Sequence, residues 1–172
     1  MKTHSGFTLI ELMITLVLVA ILATIGVPSF VNFIANNRLT VQANELVSAL
    51  NLARSESVKR NLRVTVCRSA NGTGCGGTWN DGWIVFVDEN TAATVDGGDE
   101  VLRVYSSAGS SATLTAVVPS TTTAVNAVQF QGIGLTTRVE FTLTDANCSG
   151  DQRRIIDVGA SGRISTTRAS CS

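Results

Sequence analysis

Glu11 is the single charged residue in an otherwise apolar run, Phe7 to Val27, and it is the sharpest chemical anomaly in the chain. A carboxylate well inside a membrane-spanning segment costs about 2.5–3.5 kcal/mol on insertion scales. It therefore needs a partner, and the natural partner of a buried carboxylate is an ammonium group. Four cysteines, Cys67, Cys75, Cys148 and Cys171, all follow the apolar run. They allow three pairings. The local one, Cys67 with Cys75 and Cys148 with Cys171, is expected; it would close the Gly-rich loop Asn71–Gly77 and tie the last residues to the body. Loop-closure entropy assigns these bonds about 2.6 and about 3.4 kcal/mol. The sequence holds no C-x-x-C pair of the kind zinc sites use, so disulfides and an oxidising compartment are expected, with no metal.

Other reactive groups are few. The single histidine, His4, lies in the first six residues, which leaves no Ser/His/Asp or Cys/His arrangement beyond it; no enzyme and no cofactor are expected. The stretch Asp88–Glu100 is rich in oxygen donors, yet its spacing departs from the EF-hand pattern, and a solvated hairpin connection is the expectation. Near the C-terminus Arg153, Arg154, Arg163 and Arg168 outnumber Asp151 and Asp157. A surface strand with solvated arginines is the leading reading, and phosphate contact by Arg163 and Arg168 the alternative. With 13 basic and 13 acidic residues, nothing pulls the whole chain toward nucleic acid.

The elements that must position these groups start with the apolar run. As a helix, residues 7–27 would span about 31 Å, the thickness of a bilayer core. Lys2 and the short flank favour an N-in orientation, with the bulk of the chain outside the cytoplasm. The run is too long for a signal-peptide core, and no small-x-small site ends it before Pro28. Pro28, beside Gly26, predicts a kink or break. Helical spacing then resumes through Leu39, Ala43, Leu46, Leu50 and Ala53. One long helix from about Phe7 to about Arg60 is expected. Strands are expected at 62–67, 83–87, 101–105, 113–118, 127–130, 138–143, 153–158 and 163–165, separated by turn residues. One long helix followed by short strands predicts an α+β fold with an antiparallel head.

Gly6-Phe7-Thr8-Leu9-Ile10-Glu11-Leu12 resembles the prepilin motif shared by type IV pilins and type II secretion pseudopilins. The resemblance implies cleavage after Gly6 by a prepilin peptidase, N-methylation of Phe7, and pairing of Glu11 with the α-amine of a neighbouring subunit during assembly. Leu50–Arg60 resembles the "ARSEAV"-type segment of the GspH/FimT/FimU family. Trp79–Asp88 with Asp96–Arg103 is similar to that family's "GWIVFVD…G…E.VLR" core, and Phe130, Gly132, Gly134 and Gly159–Arg163 also fit. The chain then divides into a leader (1–6), a membrane or filament-core helix (7–27), an amphipathic helix (28–61) and a β-rich head (62–172). The implied role is that of a minor pilin or pseudopilin, a structural subunit that primes or tips a type IV pilus or secretion pseudopilus. Its implied partners are major and minor pilins, the peptidase, the inner-membrane assembly platform and lipid. It would sit single-pass in the inner membrane with the head in the periplasm, and later in the filament. The alternative is a DNA-binding minor pilin for DNA uptake, which in some relatives uses a Gly-Arg-x-Arg tail; here Gly162-Arg163-Ile164 is followed by Ser165, so the second arginine is missing.

Overall fold

Thr8 starts the helix. In the computed structural model, which describes residues 7–90, 93–106 and 112–171, Thr8 has extended dihedrals (φ −82°, ψ 152°) and its Oγ1 accepts from the Glu11 amide at 3.3 Å. That satisfies one of the orphan donors of the first turn. Helix α1 then runs from Leu9 to Arg60, 52 residues, or about 78 Å at the standard rise. It stops at Asn61, which adopts the left-handed conformation (φ 53°, ψ 33°) that asparagine tolerates better than most residues. Lys59 and Arg60 occupy its last turn, where cations favour the helix C-terminus.

The helix continues through Gly26 and Pro28 without interruption, so the break expected there is absent. A proline removes one hydrogen bond of the ladder, and here the turns on either side maintain the rest. The two halves of α1 differ in environment. From Leu9 to Leu22 and from Val27 to Phe33 the large apolar side chains are exposed. From Ala35 onward a stripe of Leu39, Ala43, Leu46, Leu50 and Ala53 is buried against the head, at the three- and four-residue spacing of one helix face.

The head is two antiparallel sheets. The first, in the order β3-β2-β1-β6, contains β1 (Val64–Arg68), β2 (Gly82–Val87), β3 (Glu100–Ser106) and β6 (Ala127–Phe130). The second, in the order β5-β4-β7-β8-β9, contains β4 (Ala112–Val118), β5 (Thr123–Ala124), β7 (Val139–Asp145), β8 (Arg153–Val158) and β9 (Ile164–Ala169). β2 is buried along its whole length, which explains its unbroken apolar run. β7 alternates between buried and half-buried, the pattern of a strand with one face on the core.

The core gathers the α1 stripe with Val64, Val85, Phe130, Phe141 and Ile156. Trp79 links the sheets: its ring meets Phe141 edge-on at 5.1 Å, and its Nε1 donates to Val125 O at 2.7 Å. Two differences from expectation stand out. β5, two residues long, has no sequence signal of its own and exists by pairing with the end of β4. β9 extends to Ala169, past the expected Ser165, because its register with β8 continues to Arg153 through backbone hydrogen bonds although most of its side chains are exposed. Cys67 is bonded to Cys75 and Cys148 to Cys171, with Cα separations of 5.6 and 5.7 Å.

Candidate functional site

The N-terminal end of α1 carries Phe7 and Glu11. Gly6 and the five residues before it, expected to form a leader, lie outside the described residues. Phe7 is 80% exposed, and Glu11 sits in the first helical turn, also exposed. Thr8-x-x-Glu11 has the composition of a capping box, and the first of its two reciprocal bonds is the one from the Glu11 amide to Thr8. The Glu11 backbone amide thus takes part in starting the helix, while the resemblance implies an intersubunit role for its side chain. A negative side chain is also favoured at this end by the helix dipole.

The second half of α1 is fastened to the head by polar contacts as well as by its apolar stripe. Arg154, on β8, is buried. Its Nη2 donates to Asn36 Oδ1 at 2.8 Å and to Thr40 Oγ1 at 3.3 Å, and its Nη1 to Gln152 O at 2.6 Å. Burial lowers the affinity of this guanidinium for its proton, and the neighbouring charge of Arg168 adds to the effect. Arg154 was expected among solvated arginines and is instead a tie between sheet and spine. Arg168 lies opposite it in the β8–β9 pairing, whereas Arg163 occupies the turn before β9. The four residues between Arg163 and Arg168 place them about 16 Å apart along the chain. The structure does not gather these arginines into one cluster.

At the C-terminal end of α1, Arg54 donates from Nη2 to Ser161 O at 3.3 Å. Beneath it lie Gly134 (φ 78°) and Gly162 (φ 72°), close enough that a side chain on Gly162 would overlap Gly134 O. The arginine of the 50–60 segment and the glycines of the 130s and 159–163 segments are thus one packed unit. Arg60 reaches Glu56 and Glu100, joining the helix end to β3. The Arg60 hydrogen bond is the main reason that Glu56 stays below the usual carboxylate range.

The acidic connection after β2 is more built than a solvated loop. Asp88 is 1% exposed. Its Oδ2 accepts from Thr65 Oγ1 (2.9 Å), Gln129 Nε2 (2.8 Å) and the Ala93 amide (3.1 Å). Asp99 accepts from the amides of Glu89 and Asp96. These carboxylates hold the connection in shape. Asp88→Ala would leave buried donors of β1 and β6 unpaired and is expected to cost about 3 kcal/mol. Asp88→Asn, which keeps an acceptor oxygen, should cost about 1 kcal/mol. Thermal unfolding of the detergent-solubilised chain checks both values; equal effects would contradict this role for the carboxylate.

Comparison with known proteins places this arrangement. The family model described as Type II transport protein GspH matches residues 42–162, from the buried half of α1 to the turn before β9. The prokaryotic N-terminal methylation motif matches residues 1–27. Two Pseudomonas aeruginosa proteins, each described as a fimbrial protein, are 41% identical over 58 residues, or 34% of this chain. The match spans 37% of each relative's length. Among solved structures, the type IV minor pilin FimU of Pseudomonas aeruginosa superposes with a TM-score of 0.61 at 21% identity, covering 81% of this chain and 99% of that one. The minor pseudopilin EpsH from the Type 2 Secretion System of Vibrio cholerae does so with a TM-score of 0.55 at 9% identity, covering 78% and 99%. At these identities the likeness is one of fold: a long N-terminal helix packed on antiparallel sheets. The chain belongs to the Type II transport protein GspH family.

Proposed function

We propose that this chain is a minor pilin or pseudopilin, a structural subunit for assembly of a type IV pilus or a type II secretion pseudopilus. The observation that carries this reading is the division of α1. Its second half is buried on the head, and its first half exposes Leu9, Ile14, Leu18, Leu22 and Phe30 on all sides. A helix that is apolar all round needs lipid or other helices around it. A subunit that begins in a membrane and moves into a helical filament core meets both in turn.

In this reading a prepilin peptidase cuts after Gly6, Phe7 is methylated, and the Glu11 carboxylate pairs with the new α-amine of a neighbour. At Pro28, which the helix passes unbroken, the spine bends on leaving the membrane. The head stands in the periplasm, where the two disulfides form, and an inner-membrane platform drives assembly with other pilins.

Intact-mass measurement of the membrane-extracted chain, before and after reduction, tests the processing. The expected mass lacks residues 1–6, carries one added methyl group and gains about four hydrogens on reduction. An uncut precursor, made in a host that has the peptidase, would reduce the chain to an ordinary anchored domain.

A further inference from the structure

The stretch Asp145-Ala-Asn-Cys-Ser149 sets an acid, an asparagine and a hydroxyl at alternate positions. Asn-x-Ser is the acceptor pattern for a sugar on the asparagine amide nitrogen. The hydroxyl two residues on can hydrogen-bond the carboxamide and turn its nitrogen toward a donor. The acid two residues before offers a charge that a cation of the transferase can hold.

The fold leaves the reacting groups of this stretch free. Asn147 and Ser149 are exposed in the turn between β7 and β8. Their backbone amides are engaged, Asn147 N with Asp145 Oδ1 at 2.8 Å and Ser149 N with Gln152 Oε1 at 3.4 Å. Among the described residues neither side chain has a hydrogen-bond partner. The chain's other Asn-x-Ser/Thr stretch, Asn71-Gly-Thr73, differs on both counts. Ser69, not an acid, stands two residues before it, and Asn71 Oδ1 already accepts from the amides of Thr73 and Gly74 at 3.0 and 3.1 Å.

The β7–β8 turn also lies at the membrane end of the head. Arg154 Nη1 donates to Asp151 O and Gln152 O on this turn, and its Nη2 to Asn36 and Thr40 on α1. Asn36 stands nine residues past Val27, the end of the apolar run, or about 14 Å along the helix. That is the level at which a donor carried on a membrane lipid presents its sugar.

We propose that Asn147 is an N-glycosylation site that takes an oligosaccharide from a polyprenyl-pyrophosphate-linked donor. The inference rests on the reading that the head stands outside the cytoplasm. In the transfer, Asn147 Nδ2 bonds to C1 of the first sugar and the bond from C1 to the pyrophosphate oxygen breaks. The lipid pyrophosphate leaves with the electron pair, and Nδ2 gives up one proton. In the finished head Asp145 is buried and Cys148 is bonded to Cys171. A transferase that reads the acid and the asparagine together therefore acts before the turn closes. Cys171 is the next-to-last residue, so the bond that shuts the turn is the last the chain can make, and the acceptor stays open until then.

The test isolates the full chain from the membranes of its own host and maps its peptides by mass. An added oligosaccharide is expected on Asn147 and none on Asn71. Asn147→Gln and Ser149→Ala are expected to lower the modified fraction at least twentyfold. Asp145→Asn, which keeps an oxygen for the Asn147 amide and loses the charge, should lower it at least fivefold. In parallel, protease is added to spheroplasts to establish on which side of the membrane the head lies. With the head within the protease's reach, an unmodified Asn147, sugar only on serine or threonine side chains, or undiminished modification in Ser149→Ala would overturn the proposal. A head beyond the protease's reach would overturn the topology on which it rests.

Discussion

Glu11→Gln is expected to leave the chain in the membrane and take it out of the filament. The glutamine keeps a side-chain oxygen at the third helical position, where a capping box accepts either residue, so the start of α1 at Thr8 and Leu9 survives. What it loses is the charge. If the carboxylate pairs with a neighbour's ammonium away from water, removing one partner strands the other, at a cost of about 3 kcal/mol or more. That corresponds to roughly a hundredfold in the equilibrium of the contact. Filament-associated chain, measured against the membrane pool, should fall by that order for both Glu11→Gln and Glu11→Ala. Membrane insertion should rise slightly, because a carboxylate no longer enters the bilayer. Normal recruitment of the glutamine variant would reduce Glu11 to a helix-starting residue.

Gly162→Ala should be the most damaging single methyl in the head. Its backbone φ of 72° is strained for any residue with a Cβ, and that Cβ would overlap Gly134 O and lie 2.9 Å from Arg54 Nε. The left-handed conformation alone costs about 1–2 kcal/mol. The overlap forces apart the unit that closes the sheets over the end of α1, for a total of about 4 kcal/mol. A fall of about 10 °C in the unfolding temperature of the solubilised chain is expected. Gly74→Ala, whose Cβ would meet nothing within 4 Å, is the control and should stay within about 0.5 kcal/mol. Equal behaviour of the two variants would refute the packing argument.

Helix α1 was legible in the sequence because its second half repeats at three and four residues against one sheet surface, and its first half is apolar without any period. The strands were legible for a similar reason: Trp83–Val87 is apolar throughout because both its faces are covered, and Val139–Asp145 alternates because one is. The polar contacts were not legible. Asp88 is followed by Glu89 and Asn90 and reads as the start of a solvated loop; its partners Thr65 and Gln129 lie 23 and 41 residues away. Arg154 has a neighbouring arginine on one side and a sheet partner, Arg168, across from it, and reads as part of a basic surface. Its partners Asn36 and Thr40 are 118 and 114 residues away.

The sequence by itself determined the properties that depend on near neighbours: a membrane-length apolar helix with one acid in its first turn, a helical stripe, strands with their turns, and cysteines outside the apolar run. Period and composition carry these, since they describe which face of an element can meet water. Only the tertiary structure decided which charges are buried, that α1 passes Pro28 without a break, and that Arg54, Gly134 and Gly162 form one unit beside an exposed Ile133. Those outcomes depend on hydrogen bonds and close approaches between segments far apart in the chain, which no local pattern encodes.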